Sequence, residues 1–116
     1  MVGIDKPFER LAVKTAEKIS FVQADEIDCI KAAGNYVEIF TGNRSQLLRM
    51  TIRELSERLP GDRFVRVSRS SIVNVTRIKE LRSRTHGDYL ITLQNGSVIV
   101  ASRTYRERLM QMLSLA

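Results

Sequence analysis

The chain has 116 residues, 43% hydrophobic and 28% charged. That fits one globular domain with a modest core and excludes a disordered chain. No apolar run approaches the roughly 18 residues of a membrane span, and the start carries no signal-peptide pattern. The single cysteine, Cys29, excludes an internal disulfide and fits a reducing, cytoplasmic setting. The formal charge is +6, all of it in residues 59–116, where ten Lys/Arg, nine of them Arg, face four Asp/Glu; residues 1–58 hold nine of each sign. Such arginine-dominated asymmetry fits either a polyanion partner, since the guanidinium fork matches phosphates and guanine edges, or an ordinary basic surface.

In chain order, "RLAVKT" (10–15) alternates with Leu11 and Val13 on one face, and "KISFV" (18–22) alternates with Ile19 and Phe21, which places Phe21 toward a core. The intervening "AE" makes a tight turn. "ADEIDCIKAA" (24–33) reads as a brief helical turn at Asp25 and Glu26 followed by a strand. "GN" (34–35) is a turn, "YVEIFT" (36–41) a strand, "GNRS" (42–45) a second turn and "QLLRM" (46–50) a strand. "TIRELSERLP" predicts a helix, with Thr51 and Glu54 as a capping box, Ile52, Leu55 and Leu59 as one apolar stripe, and Pro60–Gly61 as the stop.

"FVRVSRSSIVNV" (64–75) alternates like a strand, breaks at four polar residues, Ser68 to Ser71, and turns apolar again at Ile72 and Val73. "RIKELRS" (77–83) and "DYLITLQ" (88–94) predict two strands joined by "THGD", and "NG" (95–96) leads to "SVIVA" (97–101). In "SRTYRERLMQML", Thr104 and Glu107 suit a second capping box, with Tyr105, Leu109, Met112 and Leu113 as the inner stripe. The expectation is a mainly β domain with two short helices.

Catalytic constellations are thin. His86, the only histidine, stands beside Asp88, but no G-x-S-x-G surrounds Ser68, Ser70 or Ser71, and a His-Gly-Asp turn explains the pair without catalysis. No glycine-rich phosphate loop and no Cys/His cluster occur, so neither enzyme activity, a cofactor nor a metal is expected. A helix-turn-helix needs two adjacent helices, whereas some forty residues of strand separate the two here. If duplex DNA is the partner, loops or strands must enter the groove.

Three stretches, "DEIDCIKAAGNYVEIFT", "TIRELSERLPGDRFVRVSRSSIVNVTRIKEL" and "NGSVIVASRTYRERL", resemble the LytTR family, the DNA-binding domain of many bacterial response regulators. The likeness covers roughly residues 10–113. Its most specific part is Leu59-Pro60, Phe64-Val65-Arg66, Ser68-Arg69-Ser70 and Val73-Asn74. It implies elongated antiparallel β-sheets whose inter-strand loops enter the major groove. Carried over residue by residue, the DNA-facing positions are Asn35 and Tyr36, Ser68 and Arg69, and Ser102, Arg103 and Thr104. Many members have His where this chain has Ser68, a shorter hydroxyl that can still bond a phosphate or a base edge. Members are usually fused to a receiver domain, so the chain is expected to be a stand-alone regulator or the C-terminal part of a longer one. Residues 1–9 then form an extension or linker and residues 10–116 the domain. Free monomers would bind paired repeats in a promoter as two copies.

Each position has a plainer reading beside this one. Arg69 could tip a solvated loop, Arg103 cap a helix start, Asn35 supply the positive φ of a turn, and Tyr36 be a half-buried strand residue. Arg66 is either a phosphate contact or one half of a salt bridge at the core rim, and Asn74 satisfies backbone groups in a bend. Lys79, Arg82 and Arg84 either track phosphates or blunt an edge strand, and Cys29 is a small buried apolar residue. The rival functions are a basic β-domain for RNA or single strands, which wants aromatic platforms, and a protein-interaction module.

Overall fold

A computed structural model describes residues 9–113 of the chain. Residues 1–8, most of the expected linker, lie outside the described residues. Among the described residues ten strands and two helices follow one another: β1 (Arg10–Lys14), β2 (Ile19–Gln23), β3 (Cys29–Ala33), β4 (Tyr36–Thr41), β5 (Arg44–Leu48), α1 (Ile52–Arg58), β6 (Phe64–Ser68), β7 (Ser71–Asn74), β8 (Ile78–Ser83), β9 (Tyr89–Leu93), β10 (Val98–Ala101) and α2 (Arg106–Met112). All strand pairs are antiparallel. They form a central five-stranded sheet in the order β5-β4-β3-β7-β6, a three-stranded sheet β10-β9-β8 and the β1-β2 hairpin.

The central sheet is covered on both faces, and the period-two side-chain rule sorts its residues. Ile30, Val37, Ile39, Phe64 and Ile72 meet Leu11, Val13 and Val22 of the hairpin and Ile52, Leu55 and Leu59 of α1. The neighbouring residues Cys29, Val65, Val67 and Val73 meet Ile91, Leu93, Ile99 and Ala101 of the second sheet and Leu109 of α2. That double cover explains why β7 is buried at every position, its polar ends Ser71 and Asn74 included.

The capping box at α1 forms as the sequence predicts. Glu54 N–H donates to Thr51 Oγ1 at 3.0 Å, and Thr51 N–H donates to Glu54 Oε1 at 3.0 Å. The latter bond holds the Glu54 carboxyl below its usual range.

Four local expectations change. On β2 it is Val22 that is buried, whereas Ile19 and Phe21 are 55% and 52% exposed. The hairpin register sets this: Leu11 lies opposite Val22 and Val13 opposite Ser20, so Ile19 and Phe21 share the outer face with Lys14 and Ala12. Arg10 lays its guanidinium 4.4 Å from the Phe21 ring centroid, which shields part of that exposed ring. Phe21 is therefore not the core residue that the alternation suggests. Second, "GNRS" is a shorter turn than expected. Gly42 takes φ +63°, and β5 already starts at Arg44. Third, Gly34 supplies the positive φ of its turn, at +63°, so Asn35 is not needed for that purpose. Fourth, Thr104 and Glu107 form no capping box. Ser102 caps a 3-10 turn over Arg103–Tyr105 by accepting from Thr104 N–H, and α2 begins only at Arg106, without a side-chain cap.

Candidate nucleic-acid interface

The strand registers gather segments that are distant in sequence. The β3-β4 hairpin turns at Gly34–Asn35, because Ala33 lies opposite Tyr36. The β6-β7 hairpin turns at Arg69–Ser70, because Ser68 lies opposite Ser71. Strands β3 and β7 are themselves paired, Lys31 against Ser71, and Ala32 N–H donates to Ser70 O at 2.8 Å. Both turns therefore leave the same end of the central sheet. The end of β10 joins them, since Ser102 N–H donates to Val67 O at 2.7 Å. Ser68, Ser70, Ser71 and Ser102 line one cleft of about 410 Å³ together with Lys31 and Asp88.

The polar break after Val67 is thus a two-residue turn rather than a long loop. Ser68 Oγ accepts from Ser70 N–H at 3.2 Å, and the turn projects Arg69, which is exposed and in no ion pair among the described residues. Arg66 does not form the expected carboxylate pair among the described residues. Its Nη2 donates to Arg69 O at 2.7 Å, and its guanidinium carbon lies 5.6 Å from the Tyr105 ring centroid. Tyr36 is 39% exposed as the first residue of β4, with the Arg49 guanidinium 5.9 Å from its ring centroid.

The Ser102–Thr104 segment is clamped by the "THGD" turn. Asp88 Oδ1 accepts from Arg103 N–H at 2.9 Å, and Arg106 Nη1 donates to Gly87 O at 3.3 Å. Gly87 has φ +84°, and a Cβ there would stand 2.8 Å from Arg103 Cδ. His86, at φ +65°, is the one non-glycine residue with positive φ among those described. Asp88, the acid beside His86 in sequence, is thus engaged in holding Arg103. Arg103 and Thr104 are exposed.

The β8 cations divide. Ser83 pairs with Tyr89, which pairs with Ala101, so Arg84 and the adjoining Arg82 lie toward the end that carries Ser102. Lys79 is at the opposite end of β8, next to Ile78, which faces Leu93. Arg82 reaches Glu80 at 3.4 Å in an exposed pair, and such pairs contribute little. Asn74 is structural, as expected: its Nδ2 donates to Ile27 O at 2.9 Å, and its Oδ1 accepts from Thr76 N–H at 3.0 Å. Cys29 is buried, and that burial pushes its thiol pKa up to about 11 against an opposing pull from Lys31.

Sequence reasoning missed Asp28. It is 5% exposed, and its Oδ2 accepts from Gly42 N–H at 2.7 Å and from Asn95 Nδ2 at 3.2 Å. Arg77 Nε lies 3.8 Å from its Oδ1. The signal was present, one acid between Ile27 and Cys29 in an otherwise apolar run.

A sequence model of the family described as "LytTr DNA-binding domain" matches residues 17–114. The sensory transduction protein LytT of Bacillus subtilis is 30% identical over 106 residues, which is 91% of this chain and 44% of that protein. The CO-responsive transcriptional regulator RcoM of Rhodospirillum rubrum is 31% identical over 75 residues, 65% of this chain and 32% of that protein. The chain spans less than half the length of these curated relatives. A solved LytTr DNA-binding domain from a methyl-accepting/DNA response regulator of Bacillus cereus superposes with a TM-score of 0.83 at 24% identity, covering 93% of this chain and 99% of that one.

Proposed function

The chain belongs to the LytTR family of DNA-binding domains, and on that premise we propose that it reads the major groove of duplex DNA with three segments presented from one end of its central sheet. Those segments are Asn35–Tyr36, Ser68–Arg69 and Ser102–Arg103–Thr104. The observation that supports the reading is their convergence: they are separated by tens of residues in the chain, yet three strand pairings and two hydrogen bonds bring them together.

Chemistry divides the roles. Arg69 and Arg103 offer the bidentate donors that suit guanine O6 and N7, and Asn35 offers a donor and an acceptor that suit adenine. The hydroxyls of Ser68, Ser102, Thr104 and Tyr36 suit phosphates or base edges. Arg82 and Arg84 lie toward the same end and would follow the phosphate backbone; Lys79 is placed to reach only a duplex that extends along β8. The domain, residues 10–116 with residues 1–9 as linker, would work in the bacterial cytoplasm without catalysis of its own. It would be attached to or partnered by a receiver or other sensory domain, and two copies would occupy paired repeats.

Selection of duplexes from a random pool tests the reading. A recurrent motif should emerge. Arg69→Ala and Arg103→Ala should each lower affinity for it far more than for scrambled DNA, at different base positions. Equal losses on both duplexes would reduce these arginines to phosphate contacts and defeat the proposal.

A further inference from the structure

The geometry points to Arg66 as a positioning residue that sets the Arg69 turn and the Ser102–Tyr105 turn relative to one another. The inference rests on the reading that those two turns meet DNA. Its observation is separate, namely where the Arg66 side chain goes.

Arg66 lies on β6, three residues before the tip of the hairpin. Its pairing with Ile72 is followed by a register shift before Ser68 meets Ser71, so the strand is irregular just where the turn begins. Irregularities of this kind bend a strand and leave a residue out of the ladder. The support present is the Arg66 guanidinium, whose Nη2 donates to Arg69 O at 2.7 Å. That carbonyl belongs to the turn itself, so the bond fixes backbone and leaves the Arg69 side chain free.

The same guanidinium stands 5.6 Å from the Tyr105 ring centroid. Tyr105 closes the 3-10 turn that begins at Arg103. One cation thus reaches both segments, donating to the first and standing within cation–π range of the ring in the second. Arginine suits this double task better than lysine, because its fork of donors can serve one partner while its delocalised charge lies near another. Arg66 is only partly exposed, and its Nε is buried with no hydrogen-bond partner among the described residues. Leaving that one donor buried and unsatisfied costs free energy, although the Nη2 bond to Arg69 O is exposed. A phosphate contact would instead leave the head in water, where the exposed Arg69 and Arg103 have theirs.

The distance between two base-reading arginines sets the register with which they meet successive bases. A brace between their turns therefore changes specificity without touching DNA. Loss of a phosphate contact has another signature: all sequences weaken alike, and the salt dependence drops by roughly 0.9 per contact.

The test uses the full chain, a duplex recovered from a random pool by the wild-type protein, and a scrambled duplex of the same length. Arg66→Met keeps the stem and removes both contacts. It should weaken the selected duplex about tenfold, as couplings between touching residues do. The scrambled duplex should change less than about twofold, with an unaltered salt slope. In an Arg69→Ala background the same change should cost almost nothing further on the selected duplex. Arg66→Lys restores charge and should not restore specificity. Tyr105→Leu keeps the Arg69 bond, serves as the second variant if Arg66→Met melts early, and should show a smaller loss of the same kind. Equal loss on both duplexes with a shallower slope would make Arg66 a phosphate contact, and full additivity with Arg69→Ala would deny the coupling; either overturns the proposal. If Arg69→Ala and Arg103→Ala themselves leave specificity intact, the underlying reading has failed and the brace with it, an outcome recognisable without any Arg66 variant.

Discussion

The two ends of the central sheet use hairpin turns in opposite ways. At one end the turns at Gly34–Asn35 and Arg69–Ser70 are exposed, and the Arg69 side chain is in no ion pair among the described residues. At the other, Gly42 N–H and the Asn95 side chain, from the β4-β5 and β9-β10 turns, converge on the buried Asp28 carboxylate. The contrast teaches that a polar turn residue is informative only with its partner: the same amide and carboxylate chemistry locks one end and presents side chains at the other.

The largest expected effect comes from breaking the locked end. Asp28→Ala strands the Gly42 N–H, the Asn95 amide and the half-buried Arg77, and should lower stability by about 3 kcal/mol. Urea unfolding would measure it. The ratio of selected to scrambled DNA affinity should hardly move if the ends are functionally separate, and a collapse of that ratio at unchanged fold would erase the contrast.

Next is the alkaline limb of stability, which Cys29, beside Asp28, should shape. Its folded pKa lies above its unfolded value, at about 11 against 9.0. Between those values the unfolded thiol loses its proton and the folded one keeps it, so the unfolded state binds fewer protons and stability falls as pH rises. The full span is at most about 2.7 kcal/mol at 1.36 kcal/mol per unit. A Cys29→Ala chain should show a correspondingly flatter slope over pH 9–11. An identical slope in both chains would mean that the thiol is not the titrating group.

At the presenting end, Arg69→Ala should cost about 1–3 kcal/mol on the selected duplex and almost nothing in melting temperature, since an exposed tip carries little stability. A lower melting temperature with unchanged specificity would move Arg69 to the structural side of the comparison. The smallest effect belongs to Arg84→Ala, which should reduce the salt slope by roughly 0.9 and weaken all duplexes alike. Titration of binding against salt would reveal it, and an unchanged slope would remove Arg84 from the interface.

Much of this was legible in the sequence because it follows from local chemistry. Thr51 and Glu54 announce α1, the "NG" turn announces β9-β10, and the polar run after Val67 marks a tip between two buried strands. One source of error is that partners across a hairpin are set by register. "KISFV" offers Ile19 and Phe21 or Val22 to the core, and only the pairing with Leu11 chooses Val22. Thr104 and Glu107 have capping spacing, but Ser102 takes the cap two residues earlier. Asp28, Arg66 and Asp88 were opaque as partners because Asn95 and Tyr105 reach the first two only through tertiary packing, and Arg103 reaches Asp88 only through the β9-β10 pairing.

The close approach of Gly87 to Arg103 bears on conformational entropy. A long side chain that is ordered on binding loses about 0.5–1.5 kcal/mol of rotamer freedom at that moment. The Arg103 stem already lies where a Cβ at position 87 would collide with it, and its own backbone N–H is held by Asp88. Part of its freedom is therefore surrendered when the chain folds, before any duplex arrives. The bare α-carbon of Gly87 leaves the space in which that stem rests, and so places a share of the cost of recognition in the folding of the domain.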